Sequence, residues 1–193
     1  MKKFNWEKWP KYNKNHVRAV NEVIVSNQLF AAEKVRKFEK AYSNYIGSKY
    51  ALGLGNATQG LQLSLHALGI GYGDEVIVTP YSWISSASCV LMQGAIPIFV
   101  DIEPESFGIS PELLERAITK KTKAVILVHM FGYPAKVKEI SEICKKYSIN
   151  LIEDASHAHG GKFKNQNLGT FGDISVFSLH QRKALPLGDG GII

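Results

Sequence analysis

Short apolar runs alternate with amphipathic segments through most of this chain, and that alternation restricts its fold more than any other feature. Tyr50 to Leu54, Glu75 to Thr79, Ile96 to Val100, Ala124 to Val128, Asn150 to Glu153 and Ile174 to Leu179 read as strands. Between the first five lie segments of helical period at Thr58 to Leu68, Ile84 to Gln93, Pro111 to Ile118 and Val137 to Tyr147. Strands that alternate with helices join through right-handed crossovers into a largely parallel sheet. Such a sheet is covered on both faces, which explains why its strands read as apolar runs rather than as alternating patterns. The expected class is therefore α/β, a mostly parallel sheet with helices on both faces.

The flanks differ from this middle. Val17, Val20, Val23 and Ile24, then Val35, Phe38, Ala41, Tyr42 and Tyr45, mark two N-terminal helices, the second stopped near Gly47. Ala155 to Asp173 reads as an irregular, Gly-rich link, and Gly190 to Ile193 as the start of a further strand that is cut off as it begins, so the sheet is expected to be incomplete at its C-terminus. With 193 residues, 45% hydrophobic and 21% charged, the chain can bury a sizeable core. No apolar run approaches membrane-spanning length, and Met1 to Glu7 lacks the apolar stretch of a signal peptide, so a soluble, cytoplasmic protein is expected, without a membrane partner. Cys89 and Cys144 sit far apart without metal-ligand spacing and are expected as reduced, partly buried thiols. The net charge of +6 comes from lysines interleaved with glutamates, which suits solvated helix faces better than a nucleic-acid surface. A basic chain would also suit an anionic small molecule.

Ligands of parallel α/β sheets bind beyond the carboxyl ends of the strands, and the residues expected there are reactive. Asn56, Ala57 and Thr58 form a small polar turn into a helix N-terminus, able to cap the helix or to hold a phosphate. Trp83 follows the second strand, where a core indole is the plain alternative. His129 follows the fourth and reads as a buried structural histidine. The fifth strand ends in Glu153 and Asp154, carboxylates that require partners at a sheet end, with His157 and His159 just beyond; a metal pair there is the weaker reading, and no metal site is expected. Ser178, His180 and Lys183 follow the sixth. An amine, a carboxylate, phosphate donors and an aromatic face are the parts that pyridoxal 5'-phosphate (PLP) demands.

The segments that carry these residues resemble the DegT/DnrJ/StrS family of sugar aminotransferases, which belongs to the fold type I PLP enzymes. The resemblance runs through AVNEVIVSNQLFAAEKVRKFEKAYSNYIGSKYAL, LQLSLHALGIGYGDEVIVTPYSWISSASCVLMQGAIPIFVDIEP and VHMFGYPA, and is most specific at IEDASHAHGG and FSLHQRKALPLGDGG. It implies that Lys183 is the amine that holds the cofactor and that Asp154 pairs with the protonated ring nitrogen. It further implies that Trp83 stacks on the ring, that His157 lies near the ring hydroxyl, and that Ala57, Thr58 and Ser178 bind phosphate. Ala57 and Ala184 depart from the glycine and asparagine usual at those positions. Lysine at 183, where related sugar dehydratases carry histidine, favours transamination. Residues 1–48 would form a helical N-terminal segment and 49–193 a truncated PLP-binding large domain. The family's small C-terminal domain, and the second subunit of a homodimer that completes each site, would be missing from this chain. The implied reaction moves an amino group, from glutamate by resemblance, to a nucleotide-linked keto sugar, in amino-sugar or surface-polysaccharide biosynthesis.

Other readings stay open at this point. A catalytically inactive fragment of such an enzyme would carry the same motifs. So would part of another fold type I PLP enzyme, such as a cysteine-dependent lyase, although its flanking motifs differ. Gly69, Gly71 and Gly73 superficially match a dinucleotide glycine motif, but they end a helix and precede a strand, the reverse of that motif's order.

Overall fold

The computed structural model describes residues 7–30 and 32–193. The first six residues, on which the absence of a signal peptide was largely read, and Ala31, inside the first family-like motif, lie outside the described residues. Helices α1 (Lys14–Ser26) and α2 (Glu33–Ile46) precede β1 (Gly53–Leu54), α3 (Ala57–Ala67), β2 (Glu75–Val78), α4 (Ser85–Met92), β3 (Ile96–Phe99) and α5 (Pro111–Ala117). There follow β4 (Thr122–Val128), a 3-10 turn (Met130–Gly132), α6 (Val137–Tyr147) and β5 (Asn150–Asp154). A hairpin of β6 (Lys162–Phe163) and β7 (Gln166–Asn167) leads to β8 (Ile174–Ser178) and β9 (Gly191–Ile192).

Seven strands form one sheet in the order β1-β9-β8-β5-β4-β2-β3. The run from β8 to β3 is parallel throughout, as the crossovers require. The strand begun at Gly190 enters between β1 and β8 and pairs antiparallel with both. The sheet is thus mixed but mostly parallel, with β1 at one edge, paired only with those last residues. That first strand is shorter than Tyr50 to Leu54; Leu52 exchanges backbone bonds with Ile193 just before it, and the Glu39 carboxylate accepts from the Gly53 N–H. The Gly-rich link also holds the small β6–β7 hairpin, too short to leave an apolar signature in the sequence.

Side chains alternate across a strand with period two, and the core divides accordingly. Val76, Val78, Ala124, Ile126, Ile152 and Val176 pack under α3 and α4 with Leu61, Leu65, Cys89 and Val90. Ile77, Val125, Leu127, Leu151 and Phe177 face the other way, against Tyr42 and Ile46 of α2, Leu114 of α5, and Val137, Ile140 and Cys144 of α6. The two cysteines are therefore on opposite faces, both free and buried, and burial pushes each thiol up to about 12. By contrast α1 buries no residue, and its Val17, Val20, Ile24 and Val25 are exposed. Lysines pair with glutamates on the helix surfaces, as Lys37 with Glu33, Lys138 with Glu142 and Lys146 with Glu115. No helix among the described residues is long and apolar enough to cross a membrane.

Candidate active site

A cavity of about 920 Å³ opens at the carboxyl ends of the parallel strands, on the α3 and α4 side of the sheet. All seven residues expected to bind or react, Ala57, Thr58, Trp83, Asp154, His157, Ser178 and Lys183, line it. Period-two alternation explains part of this convergence. In β5, Ile152 and Asp154 share the α3 and α4 face, while Leu151 and Glu153 face α5 and α6. Ser178 follows Val176 onto the cavity side in the same manner.

One end of the cavity is the first turn of α3. The Asn56 side chain caps this helix by accepting from the Gln59 N–H at 2.9 Å. The Ala57 and Thr58 N–H groups have no acceptor among the described residues. Both capping and an open donor pair are thus present at one helix end, where the helix dipole also favours an anion. Gly60 lets α3 lie close on β8, since a Cβ there would stand 2.7 Å from Val176 Cγ1. Hydroxyls complete this end: Thr58 Oγ1 and Ser85 Oγ are 2.7 Å apart, and Ser178 Oγ accepts from the His180 N–H at 3.3 Å.

At the other end Asp154 is buried, and its carboxylate takes one donor on each oxygen. Ser156 N–H donates to Oδ1 and Ser86 Oγ to Oδ2, each at 3.2 Å. Ser86 lies 2.8 Å from Ser82 Oγ, so hydroxyls form a chain from the cavity wall to the carboxylate. Lys183 stands in the loop between β8 and β9, with its N–H bound to the His180 carbonyl at 2.8 Å. Its own carbonyl accepts from the Trp9 indole at 3.3 Å, across 174 residues of sequence. Burial pulls the Lys183 ammonium below the ordinary lysine range, against an upward pull from Asp154. Burial, then the Lys183 charge, pulls His157 below the ordinary histidine range, against an upward pull from Asp154. Trp83 is 73% exposed and offers its indole to the cavity.

The other acid of the pair, Glu153, is fully buried and is spent on structure. Its carboxylate accepts from His129 Nε2 at 2.9 Å and from the backbone N–H groups of Gly169, Phe171 and Gly172 at 2.8, 2.6 and 2.7 Å. Burial pushes this carboxyl up, but the His129 and backbone hydrogen bonds outweigh it and hold it below the usual range. His129 is thus the satisfied buried histidine that its position suggested. His157 and His159 take separate partners: His157 Nδ1 accepts from the Phe131 N–H at 3.2 Å, while His159 lies between Tyr42 Oη at 2.8 Å and the Ser178 carbonyl at 2.7 Å.

Sequence reasoning missed Ser86, Phe131 and Trp9. Serines at 82, 85 and 86, spaced to share one helix face, were the available signal for the first. Nothing in the sequence marks Phe131 as left-handed (φ 55°), a conformation that bulky residues rarely adopt.

The donor set fits PLP. Free N–H groups and hydroxyls at the α3 end suit its phosphate, the Asp154 carboxylate suits a protonated ring nitrogen, the Lys183 amine suits its carbonyl carbon, and the Trp83 indole suits its ring face.

Comparison with known proteins identifies the family. The model of the DegT/DnrJ/EryC1/StrS aminotransferase family matches residues 10–193. An uncharacterized protein of Methanocaldococcus jannaschii is 41% identical over 95% of this chain and 48% of its own length. The L-glutamine:2-deoxy-scyllo-inosose aminotransferase of Streptomyces lividus is 33% identical over 97% of this chain and 46% of its own. A proposed sugar aminotransferase of Streptococcus pneumoniae, solved in its PLP form, superposes with a TM-score of 0.94 at 29% identity, covering 98% of this chain and 52% of that one. The chain therefore spans about half the length of the relatives it matches. Enzymes of this family are PLP-dependent, and the Streptococcus protein has been solved in both PLP and PMP forms. The chain belongs to the DegT/DnrJ/EryC1/StrS aminotransferase family.

Proposed function

We propose that this chain is the cofactor-binding part, with residues 49–193 as the large domain and 1–48 as a helical N-terminal segment, of a cytoplasmic PLP-dependent aminotransferase. Its acceptor is a nucleotide-linked keto sugar and its donor glutamate. The observation that carries the reading is the single cavity that joins Lys183, Asp154, Trp83 and the open first turn of α3. When bound, PLP supplies a carbonyl that condenses with amines and a ring that withdraws electrons.

The chain's own residues have separable tasks. Lys183 Nζ tethers the cofactor, and because burial lowers its pKa, more of it is the neutral amine that this needs. The same nitrogen, held close, moves a proton at the donor's α-carbon. Asp154, kept in place by Ser86 and Ser156, holds a proton on the ring nitrogen. Ala57, Thr58 and Ser178 hold the phosphate, Trp83 covers one ring face, and His157 meets the ring hydroxyl. The positive net charge and Arg182 at the cavity suit the diphosphate of a nucleotide carrier. The exposed apolar residues of α1 and the exposed Trp83 support a homodimer in which a second copy covers them.

A keto cyclitol is the second reading of the acceptor, since the Streptomyces lividus relative is named for one. The test is borohydride reduction of the full-length protein with PLP, peptide mapping, then amine transfer from glutamate to nucleotide-linked keto sugars and to keto cyclitols side by side. A pyridoxyl adduct on Lys183 and turnover of the nucleotide-linked sugar are expected. An adduct elsewhere would refute the assignment of Lys183, and turnover of cyclitols alone would replace the acceptor.

A further inference from the structure

Of the four histidines at the carboxyl edge of the sheet, His129, His157 and His159 follow β4 and β5, and their partners determine which ring nitrogen carries the proton. A backbone N–H can only donate, so the nitrogen it meets must be unprotonated. Ala135 N–H meets His129 Nδ1 at 3.3 Å, which leaves the His129 proton on Nε2, where it donates to Glu153. His159 Nε2 faces the Ser178 carbonyl, which can only accept, so its proton too is on Nε2 and Nδ1 accepts from the Tyr42 hydroxyl. Phe131 N–H meets His157 Nδ1 at 3.2 Å, and the same logic gives Nε2–H. Among these three His157 alone has an Nε2 with no partner among the described residues and a ring that lines the cavity.

We propose that Phe131 is a positioning residue that fixes His157 as the Nε2–H tautomer, so that His157 meets the bound cofactor only as a hydrogen-bond donor. Three features of the turn support this. Its left-handed backbone aims the Phe131 N–H at the histidine, and its ring stacks on the imidazole with centroids 6.1 Å apart and planes 5° from parallel. Gly132 lets the turn approach the bend after β5, since a Cβ there would stand 2.7 Å from the His157 carbonyl oxygen. The turn is itself anchored: Glu153 holds His129 from one side and the Ala135 N–H caps it from the other, so the buried acid acts on the cavity through the connection that carries Phe131. The inference rests on the reading that His157 faces the cofactor, and the experiment separates the two.

The tautomer is read in the cofactor-free full-length protein by long-range proton–nitrogen correlation of 15N-labelled histidines, with His157 assigned from its loss in His157→Gln. An unprotonated Nδ1 and a protonated Nε2 at neutral pH are expected. A protonated Nδ1, or averaged shifts from a mixture, would overturn the proposal. Affinity for PLP is then compared in two variants. Gln can accept from Phe131 N–H with its oxygen and donate to the cavity with its nitrogen, so His157→Gln should stay within about threefold of the parent, whereas His157→Leu should bind about tenfold more weakly. A fixed tautomer with parental affinity in both variants would overturn the role toward the cofactor while leaving the tautomer assignment intact.

Discussion

Glu153 and Asp154 are neighbours in one strand, yet they do opposite work. Glu153 is dry and held by four donors, from His129 and the backbone of residues 169–172. Asp154 takes two donors and borders a cavity that also holds an amine and an open helix end. A carboxylate saturated by the protein is structural; one left with accepting capacity beside a cavity is available for chemistry. Satisfaction, rather than charge or burial, is what separates them.

Substitutions on the cavity side should break activity and leave stability, and the largest effect is expected at Lys183. Lys183→Ala should cost about 10⁴-fold or more in kcat and remove the borohydride-trapped adduct, with little change in Tm. Asp154→Asn should slow donor deprotonation by about 10³-fold in single-turnover measurements while the cofactor still binds. If that rate were unchanged, the cavity-side acid would have no role in the chemistry and the contrast would fail.

On the structural side the signs reverse. Glu153→Gln should lower unfolding stability by about 3 kcal/mol in urea titrations, because it removes the charge that His129 and three backbone donors surround. The pH dependence follows from the direction of its shift. Its folded-state pKa lies below the unfolded value of about 4.3, so its contribution is complete above that pH and is lost as pH falls through the lower folded value. Acid unfolding monitored by circular dichroism should therefore be shallower in Glu153→Gln than in the parent. The smallest effect is expected at Trp9→Phe, which removes only the indole donor to the Lys183 carbonyl; affinity for PLP should weaken by about threefold, measured by fluorescence titration.

Much of the site was legible in the sequence because parallel sheets place their ligands at the carboxyl ends of strands, where Asp154, Ser178 and Lys183 stand. The pair Glu153 and Asp154 was visible as a chemical anomaly, but its division was not, since the donors that neutralise Glu153 come from the backbone of residues 169–172. Backbone donors have no signature in side-chain identity. Ser86 and Phe131 escaped for a related reason: one acts through one hydroxyl among several on a serine-rich helix turn, the other through an N–H aimed by an unusual dihedral angle. The position of the last strand was also hidden. Two residues carry no periodicity, and only the pairing of Gly191 with Leu54 and Ser178 reveals that they lie inside the sheet.

That pairing sets an order of assembly. β1 and the α3 turn are made early, but their neighbour in the sheet is about 140 residues downstream, among the most non-local contacts a chain of this size can make. Gly191 lies so close to the turn that a Cβ would stand 2.6 Å from the Asn56 carbonyl carbon, which joins the last strand directly to the phosphate end of the cavity. During synthesis, then, the nascent chain can form the β2–β4–β5 region well before residues 56–58 acquire their final support. A ribosome paused ahead of Gly190 would carry a chain with the acid in place and the anion cradle still unbraced.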